Sequence, residues 1–171
     1  MDNKPLKIKF LEAAQGPEAV KLLRQAFRLS ERNARNFMDA VLAGNRFRGR
    51  KIAFGATLNG KLVGMVACER LICANDNSAE IMDLAVDEDY RGRGIGPQLM
   101  DKAETYIARE WLKGRFGSVR LKDATKRDNP HSQFYEKLGY EIDNNPGRLP
   151  CGNEPLMVKA LNNAEPVALR A

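Results

Sequence analysis

Short segments in which apolar and polar residues alternate are interspersed along this chain with longer segments whose apolar residues recur every three or four positions. The first alternating segment, Leu6–Leu11, sets apolar residues against lysines, as a half-buried strand does. A helical stripe follows Gly16-Pro17, and Ser30 is placed to cap a second helix, which Gly44 is expected to end. The chain is therefore predicted to begin with one strand and two consecutive helices.

The middle of the chain predicts three consecutive antiparallel strands. Ile52–Leu58 and Leu62–Cys73 are joined through Asn59-Gly60, a pair that tolerates the positive φ angles of a tight hairpin turn. A second turn is expected over Asn75–Ser78, and the strand Ala79–Val86 follows it. These strands lead directly into a glycine-rich segment.

The second half of the chain alternates between helical and strand patterns. A long amphipathic helix is expected to open at Pro97 and to place Trp111 on its core-facing stripe. The remaining elements are a strand containing Val119 and Leu121, a short helix opened by Asn129-Pro130, and strands over Tyr140–Ile142 and Leu156–Leu161. We therefore expect one domain over residues 1–161 and a frayed tail over residues 162–171.

Composition and charge fit this single domain. A chain of 171 residues with 43% hydrophobic content can bury one full core and is too short for two domains of typical size. Its formal net charge of +6 fits a polyanionic cofactor, a nucleic acid or an anionic membrane. Charge alone therefore leaves the partner open.

The cysteines and the apolar runs predict a soluble cytoplasmic protein. Cys68, Cys73 and Cys151 are an odd number without paired metal-ligand spacing, which favours reduced thiols in a reducing compartment. No apolar run approaches the length of a membrane span, and the start of the chain lacks the apolar core of a signal peptide.

The segment Arg91–Gly96 links the strand Ile81–Val86 to the long helix, and its glycines stand at every second position. This spacing leaves the backbone N–H groups from Arg93 to Gly96 unobstructed at the positive end of a helix dipole, where a pyrophosphate can bind. No Gly-Lys-Ser/Thr follows, and the spacing is not that of a dinucleotide fingerprint, so two commoner phosphate loops are set aside. A tight turn without a ligand is the alternative.

Two segments resemble the signatures of one enzyme family. Arg91–Gly96 is similar to the R-x-x-G-x-G pattern, and Phe134–Tyr140 to the F-Y-E-K-L-G-F segment, of the GNAT superfamily of acyl-CoA-dependent N-acetyltransferases. The resemblance implies a mixed α/β fold with about seven strands and about four helices, whose fourth strand is bulged and splayed from the fifth. It also implies direct transfer of the acetyl group of acetyl-CoA to a primary amine of a small molecule or peptide, in a ternary complex and without a metal.

The resemblance places the cofactor along the splayed strand and the glycine loop. Main-chain groups of Leu84, Ala85 and Val86 would pair with the pantetheine arm, and the Leu84 N–H would donate to the thioester oxygen. The cofactor would also contact Arg91, Gly92, Arg93, Gly94, Ile95, Gly96 and Asn129. An ordinary buried strand would carry the same apolar residues over Leu84–Val86, so that pattern alone does not separate the two interpretations.

Two side chains are implied to transfer protons. Tyr135 stands where the family often places a tyrosine near the CoA sulfur, as donor to the leaving thiolate; a core aromatic is the alternative. Glu80 is the first choice of general base, because Ala79-Glu80-Ile81 resembles the A-E-I segment of histone acetyltransferases in this superfamily. Alternation predicts that Glu80 and Asp83 point to opposite faces of the sheet, so that only one faces the acceptor. A structural carboxylate is the alternative for Glu80.

A basic segment before the hairpin bears on the acceptor. It presents Arg46, Arg48, Arg50 and Lys51 without an acid among them. The resemblance places this segment beside the acceptor half of the cleft, where it would attract an amine bearing a carboxylate or phosphate and repel polyamines and aminoglycosides. A solvated turn is the alternative.

Other functions also remain open at this stage. A CoA-binding module without turnover and a basic nucleic-acid-binding module are the alternatives to an enzyme, with nucleic acid the less favoured partner. The resemblance puts His131, the only histidine, on the cofactor side, which argues against a hydrolytic triad and against a histidine metal site. A homodimer is left open as well.

Overall fold

A seven-stranded mixed sheet forms the centre of the computed structural model, which describes residues 5–47, 49–73, 76–113, 115, 117–122, 130–143 and 156–161. The elements in chain order are β1 Lys7–Phe10, α1 Gly16–Phe27, α2 Glu31–Phe47, β2 Lys51–Leu58, β3 Lys61–Cys73, β4 Asp76–Val86, α3 Ile95–Tyr106, β5 Gly117–Lys122, α4 Pro130–Lys137, β6 Glu141–Ile142 and β7 Leu156–Leu161. The strand order is β1-β2-β3-β4-β5-β7-β6, and only the β4–β5 pair is parallel. The predicted mixed α/β fold class is confirmed.

The helices cover the two faces of the sheet. Apolar residues of α1 and α2, such as Leu23 and Met38, pack with Met65 and Ala67 of β3 in one buried cluster. On the opposite face α3 lies against β2, β3 and β4 and takes part in a second buried cluster. The aromatic residues of α4 pack at the edge of this second cluster. Burial of apolar side chains in these two layers fixes which way each strand residue points.

The hairpin between β2 and β3 forms as predicted. Asn59 and Gly60 both have positive φ, 51° and 84°, as a two-residue hairpin turn requires. The second predicted turn is wrong for Asp76 to Ser78, which pair with β3, and its first residue Asn75 lies outside the described residues.

Gly44 does not end α2, which contradicts the prediction. A Cβ atom on Gly44 would lie 1.6 Å from the Lys51 carbonyl oxygen, so glycine allows the start of β2 to cross this helix. The next residue, Asn45, accepts a hydrogen bond from Ala53 N–H at 2.8 Å and donates to the carbonyls of Leu11 and Ala53. Gly44 therefore allows β2 to pass close to the helix, and α2 continues through Gly44 to Phe47.

The predicted long helix starts two residues before Pro97 and changes form near its end. Gly94 is its N-cap, with φ of 73°, and Pro97 lies in the first turn, where no N–H is needed. After Tyr106 the chain widens into a π-helical turn over Ile107–Trp111. Trp111 is buried in the core, as the apolar stripe predicted.

Candidate active site

The fourth strand leaves its parallel neighbour halfway along, and this opens a cleft. Pairing between β4 and β5 ends at Ile81↔Leu121. On the other side, β3 pairs Cys68 with Ile81 and Ala67 with Asp83, so that Met82 is an extra, bulged residue. The structure thus contains the bulged and splayed strand that the resemblance implied.

Part of the β4 main chain beyond the bulge is turned toward this cleft. The Asp87 N–H donates to the Val63 carbonyl of β3 at 2.9 Å. Because alternate residues of an antiparallel strand direct their main-chain groups to the same side, those of Leu84 and Val86 point away from β3. The Val86 carbonyl accepts a hydrogen bond from Arg91 Nε at 3.2 Å, while the Leu84 groups face the opening between the strands.

A cavity of about 720 Å³ occupies the cleft and runs from the splayed strands to the start of α3. Its wall includes nine of the predicted site residues, namely Leu84, Ala85, Val86, Arg91, Gly92, Gly94, Ile95, Gly96 and Tyr135. Glu80 and Arg93, both described, lie outside that wall, and Arg93 instead donates to the Asp89 carbonyl at 3.1 Å. Asn129 and the His131 side chain lie outside what the structure describes.

The glycine loop is shaped to expose backbone donors. Gly92 and Gly94 have φ of 74° and 73°, in the left-handed region that residues with a Cβ rarely adopt. The first main-chain bond of the helix runs from Gln98 N–H to the Gly94 carbonyl, so the N–H groups of Ile95 and Gly96 precede the helical ladder. Both residues line the cavity, so an anion placed there would meet two backbone donors at a helix N-terminus.

Two tyrosines near α4 have different environments. Tyr140 is buried and donates to Glu104 Oε1 at 2.8 Å, while Lys159 Nζ contacts Glu104 Oε2 at 2.6 Å. Burial, followed by the Glu104 charge, holds the pKa of Tyr140 well above its usual value, which makes it a structural group. Tyr135 is only half-buried and lines the cavity, with its ring edge-on to Phe134 at 5.0 Å. Of these two tyrosines, only Tyr135 lines the cavity.

Glu80 and Asp83 share one face of the sheet, which corrects the prediction that alternation separates them. Asp83 pairs with Ala67, which faces α1 and α2, and Glu80 pairs with Glu69, two residues further along β3 and therefore on the same face. The extra residue Met82 reverses the alternation between the two acids. Asp83 lines the cavity, and burial together with the nearby Glu80 charge raises its pKa to about 6.

The basic segment before β2 meets an acid from the neighbouring strand. Arg50 Nε lies 2.8 Å from Glu69 Oε1, and Lys51 Nζ lies 3.4 Å from Glu69 Oε2. The expectation of a segment without acidic compensation is therefore wrong for these two residues, because Glu69 is distant in sequence and adjacent across the β2–β3 pair. Arg48 lies outside the described residues.

The described ranges contain neither a metal-ligand cluster nor a membrane-spanning helix. They contain no group of three or more His, Cys, Asp or Glu side chains arranged to hold a metal ion. None of the helices they contain is both long and apolar enough to cross a membrane. The thiol of Cys68 is free but buried, and burial raises its pKa.

A match to a family profile identifies the family of this chain. The profile of the family described as "Acetyltransferase (GNAT) domain" matches residues 49–142, more than half of the chain. The chain belongs to the GNAT acetyltransferase family. The matched region contains the bulged β4, the glycine loop and α4, so it covers the walls of the cavity apart from its α1 side.

Two curated relatives match parts of the chain. An uncharacterized N-acetyltransferase of Chlorobaculum tepidum is 31% identical over 112 residues, which are 63% of this chain and 70% of that protein. An uncharacterized N-acetyltransferase of Methanocaldococcus jannaschii is 38% identical over 96 residues, which are 52% of this chain. The match spans only 38% of the length of the Methanocaldococcus protein.

A solved N-acetyltransferase structure shares the fold. The crystal structure of PaiA N-acetyltransferase from Thermoplasma acidophilum in complex with coenzyme A superposes with a TM-score of 0.72 at 18% identity. The match covers 92% of this chain and 100% of that one. At this identity the likeness concerns the fold, including the seven-stranded sheet and its flanking helices.

Several residues of this GNAT cavity were not predicted from the sequence. Ala26 and Phe27 of α1, Met82 of β4 and Lys122 of β5 complete the wall on the side of α1 and of the strand ends. They are joined by Asp83, which the sequence offered only as the second candidate for the base. Helical periodicity assigns Phe27 to a core stripe, and nothing local in the sequence shows that α1 ends above the cleft. Tyr90, which also lines the cavity, could have been found from its position directly before the glycine loop.

Proposed function

We propose that this protein transfers the acetyl group of acetyl-CoA to a primary amine, by direct attack of the amine on the thioester in a ternary complex. The observation that carries the proposal is a single cavity joining the splayed β4, the glycine loop and Tyr135. Family membership supports the reaction class, and the coenzyme A in the PaiA complex supports the cofactor. The amine acceptor and the residue roles are part of the proposal.

The cofactor would be held largely by main-chain groups. In this proposal the backbone of Leu84, Ala85 and Val86 borders the pantetheine arm, and the Leu84 N–H donates to the thioester oxygen. The pyrophosphate lies on the N–H groups of Ile95 and Gly96, and the guanidinium of Arg91 adds a positive charge beside it. Arg93 is engaged with Asp89, so its side chain would contribute little.

The reaction requires a neutral amine, a polarised carbonyl and a proton for the leaving thiolate. The amine nitrogen attacks the thioester carbon, the new C–N bond forms, and the C–S bond then breaks as the tetrahedral intermediate collapses. The Leu84 N–H would stabilise the developing oxyanion, and the Tyr135 hydroxyl would donate its proton to the sulfur. The proton released by the amine goes to a base or to water.

Asp83 is the better placed of the two carboxylates to receive that proton. Asp83 lines the cavity, whereas Glu80, on the same face of the sheet, does not. A carboxylate whose pKa is about 6 is ionised at neutral pH and can accept the proton that the amine nitrogen loses once it has attacked the thioester carbon. Glu80, the base implied by the resemblance, would then act mainly through its charge, which helps to raise the pKa of Asp83.

A mass-spectrometric screen tests the proposal. The protein would be incubated with acetyl-CoA and pooled primary amines, and acetylated products and free coenzyme A would be quantified for wild type and Tyr135→Phe. Amine-dependent coenzyme A release that falls in the variant supports the reaction. Tight acetyl-CoA binding without release for any amine would instead indicate a binding module without turnover.

A further inference from the structure

One large apolar side chain is exposed in the cavity wall. Among the described residues the exposed large hydrophobics are Phe27, with 39% of its surface accessible, and Ile142, with 38%. Phe27 lies four residues after the buried Leu23 and is the last residue of α1. The apolar stripe of this helix is therefore buried at Leu23 and continues into the cavity wall at Phe27. An apolar ligand that covers an aromatic ring in a concave wall removes apolar surface from water, which lowers the free energy of the complex.

The surroundings of Phe27 are apolar on both sides of the cleft. Ala26 lies beside it on α1, and Met82 lies on β4, where the bulge brings it into the wall. Asp83 follows Met82 directly, so when an amino group reaches this carboxylate, the carbon atoms next to that amino group lie along the apolar wall. This wall belongs to the half of the cavity away from the glycine loop. Because the proposed function places the cofactor pyrophosphate at the glycine loop, this half remains for the acceptor.

The charges around this wall do not provide a dedicated anion site. Arg50 and Lys51 are paired with Glu69, and neither lines the cavity. Lys122, at the end of β5, is a cation of the wall, and Asp83 is an acid of the same wall. Outside the wall, Glu80 stands opposite Arg120 across the β4–β5 pair, so that these two charges oppose each other. An acceptor carboxylate near the wall would thus meet one lysine and one carboxylate, which gives little net attraction.

We propose that the preferred acceptor is a primary amine with an apolar alkyl or aryl-alkyl substituent, which packs on Phe27, Ala26 and Met82 while its amino group reaches Asp83. The inference rests on the proposed function and adds the substrate class and a specificity-determining residue, Phe27. It replaces the expectation of an anionic acceptor. A second charge at the far end of the substituent is disfavoured, because it would have to be desolvated against the apolar wall.

Three amines with the same number of carbon atoms separate the possibilities. Hexylamine ends in a methyl group, hexamethylenediamine in a second ammonium, and ε-aminocaproate in a carboxylate. Steady-state kcat/KM with acetyl-CoA and the Kd of each amine for the coenzyme A-saturated protein would be measured for wild type, Phe27→Ala, Phe27→Leu and Ile142→Ala. The Ile142→Ala variant is the matched control, because it removes an equally exposed apolar side chain outside the cavity wall.

Hexylamine should have the highest kcat/KM by about tenfold or more, since a few buried methylene groups supply that discrimination. Phe27→Ala should lower kcat/KM for hexylamine by about 5- to 20-fold, chiefly through KM, and change the two charged amines by no more than about twofold. Phe27→Leu should retain most of the preference, and Ile142→Ala all of it. Each variant should melt within a few degrees of wild type, because an exposed side chain contributes little to stability.

A faster reaction with the diamine or with ε-aminocaproate would overturn the inference, and so would an equal loss in Phe27→Ala for all three amines. These results would leave acetyl transfer itself intact, because turnover would still be observed. A failure of the proposed function has a different appearance, namely the absence of amine-dependent release of coenzyme A for every amine, whether or not acetyl-CoA binds. If no amine is turned over, the Kd series alone decides, and equal Kd values for the three amines would count against the apolar wall.

Discussion

Replacing Asp83 with asparagine should make the protein more stable at neutral pH while impairing catalysis. Folding raises the pKa of this carboxyl from 3.8 to about 6, chiefly through burial, so the folded state binds the proton more tightly than the unfolded chain does. The stability that this provides is fully present below pH 3.8 and is lost as the pH rises through about 6. Above that pH the folded protein contains a partly desolvated carboxylate.

The two pKa values set the size of the effect. Their difference corresponds to about 3 kcal/mol, and partial solvent access together with the coupling to Glu80 reduces the expected value to roughly 1–3 kcal/mol. Asparagine has nearly the same shape and no charge, so Asp83→Asn should recover much of this free energy at pH 7 to 8. At about pH 4 the two proteins should be nearly equal in stability.

Urea unfolding of wild type and Asp83→Asn between about pH 4 and 8 measures this difference. Asp101→Asn, an exposed aspartate on α3, is the matched control and should leave the pH dependence unchanged. In kinetics, Asp83→Asn should lower kcat/KM by about 10²- to 10⁴-fold and remove the acidic limb near pH 6. A stability difference that stays constant across this pH range would refute the burial argument, and an unchanged acidic limb would remove Asp83 from the mechanism.

Three further substitutions test the remaining roles. Gly94→Val should abolish the acetyl-CoA-dependent rise in melting temperature, because valine is strained at φ of 73°; an undiminished rise in a folded variant would contradict the loop assignment. Tyr135→Phe should lower kcat by roughly 10- to 1000-fold with little change in the Kd of acetyl-CoA, and equal kcat at saturation would exclude Tyr135 as the acid. Glu80→Gln should shift the acidic limb of the rate profile to lower pH, because its charge raises the pKa of Asp83; an unmoved limb would show that the two acids are not coupled.

The elements that the sequence predicted well are those set by local rules. The apolar run Ile52–Leu58 and the turn at Asn59-Gly60 are encoded within a few residues, and the structure has both the strand and the turn. The glycine loop was recognisable because its spacing requires no knowledge of distant contacts. The resemblance placed Tyr135 and Leu84, and both line the cavity.

The predictions that failed depend on contacts between distant parts of the chain. Gly44 resembles a helix stop by local rules, yet its lack of a side chain accommodates Lys51. The basic segment seemed uncompensated because Glu69 comes from the following strand of the hairpin. Phe27 fits the core stripe of α1 by periodicity, and only the position of the helix end over the cleft leaves it exposed.

The bulge at Met82 also has a consequence for how such a site can change by insertion or deletion. Removing Met82 would delete the bulge and leave the register with β3 intact, so Glu80 and Asp83 would become next-but-one neighbours and stay on one face. A single residue inserted in β3 between Ala67 and Cys68 would instead give Met82 a partner, restore plain alternation over an odd spacing and place the two acids on opposite faces. The pairing of the two acids therefore depends on a residue count that differs by one between the two strands, so a gain of one codon in β3 would separate them without altering either side chain.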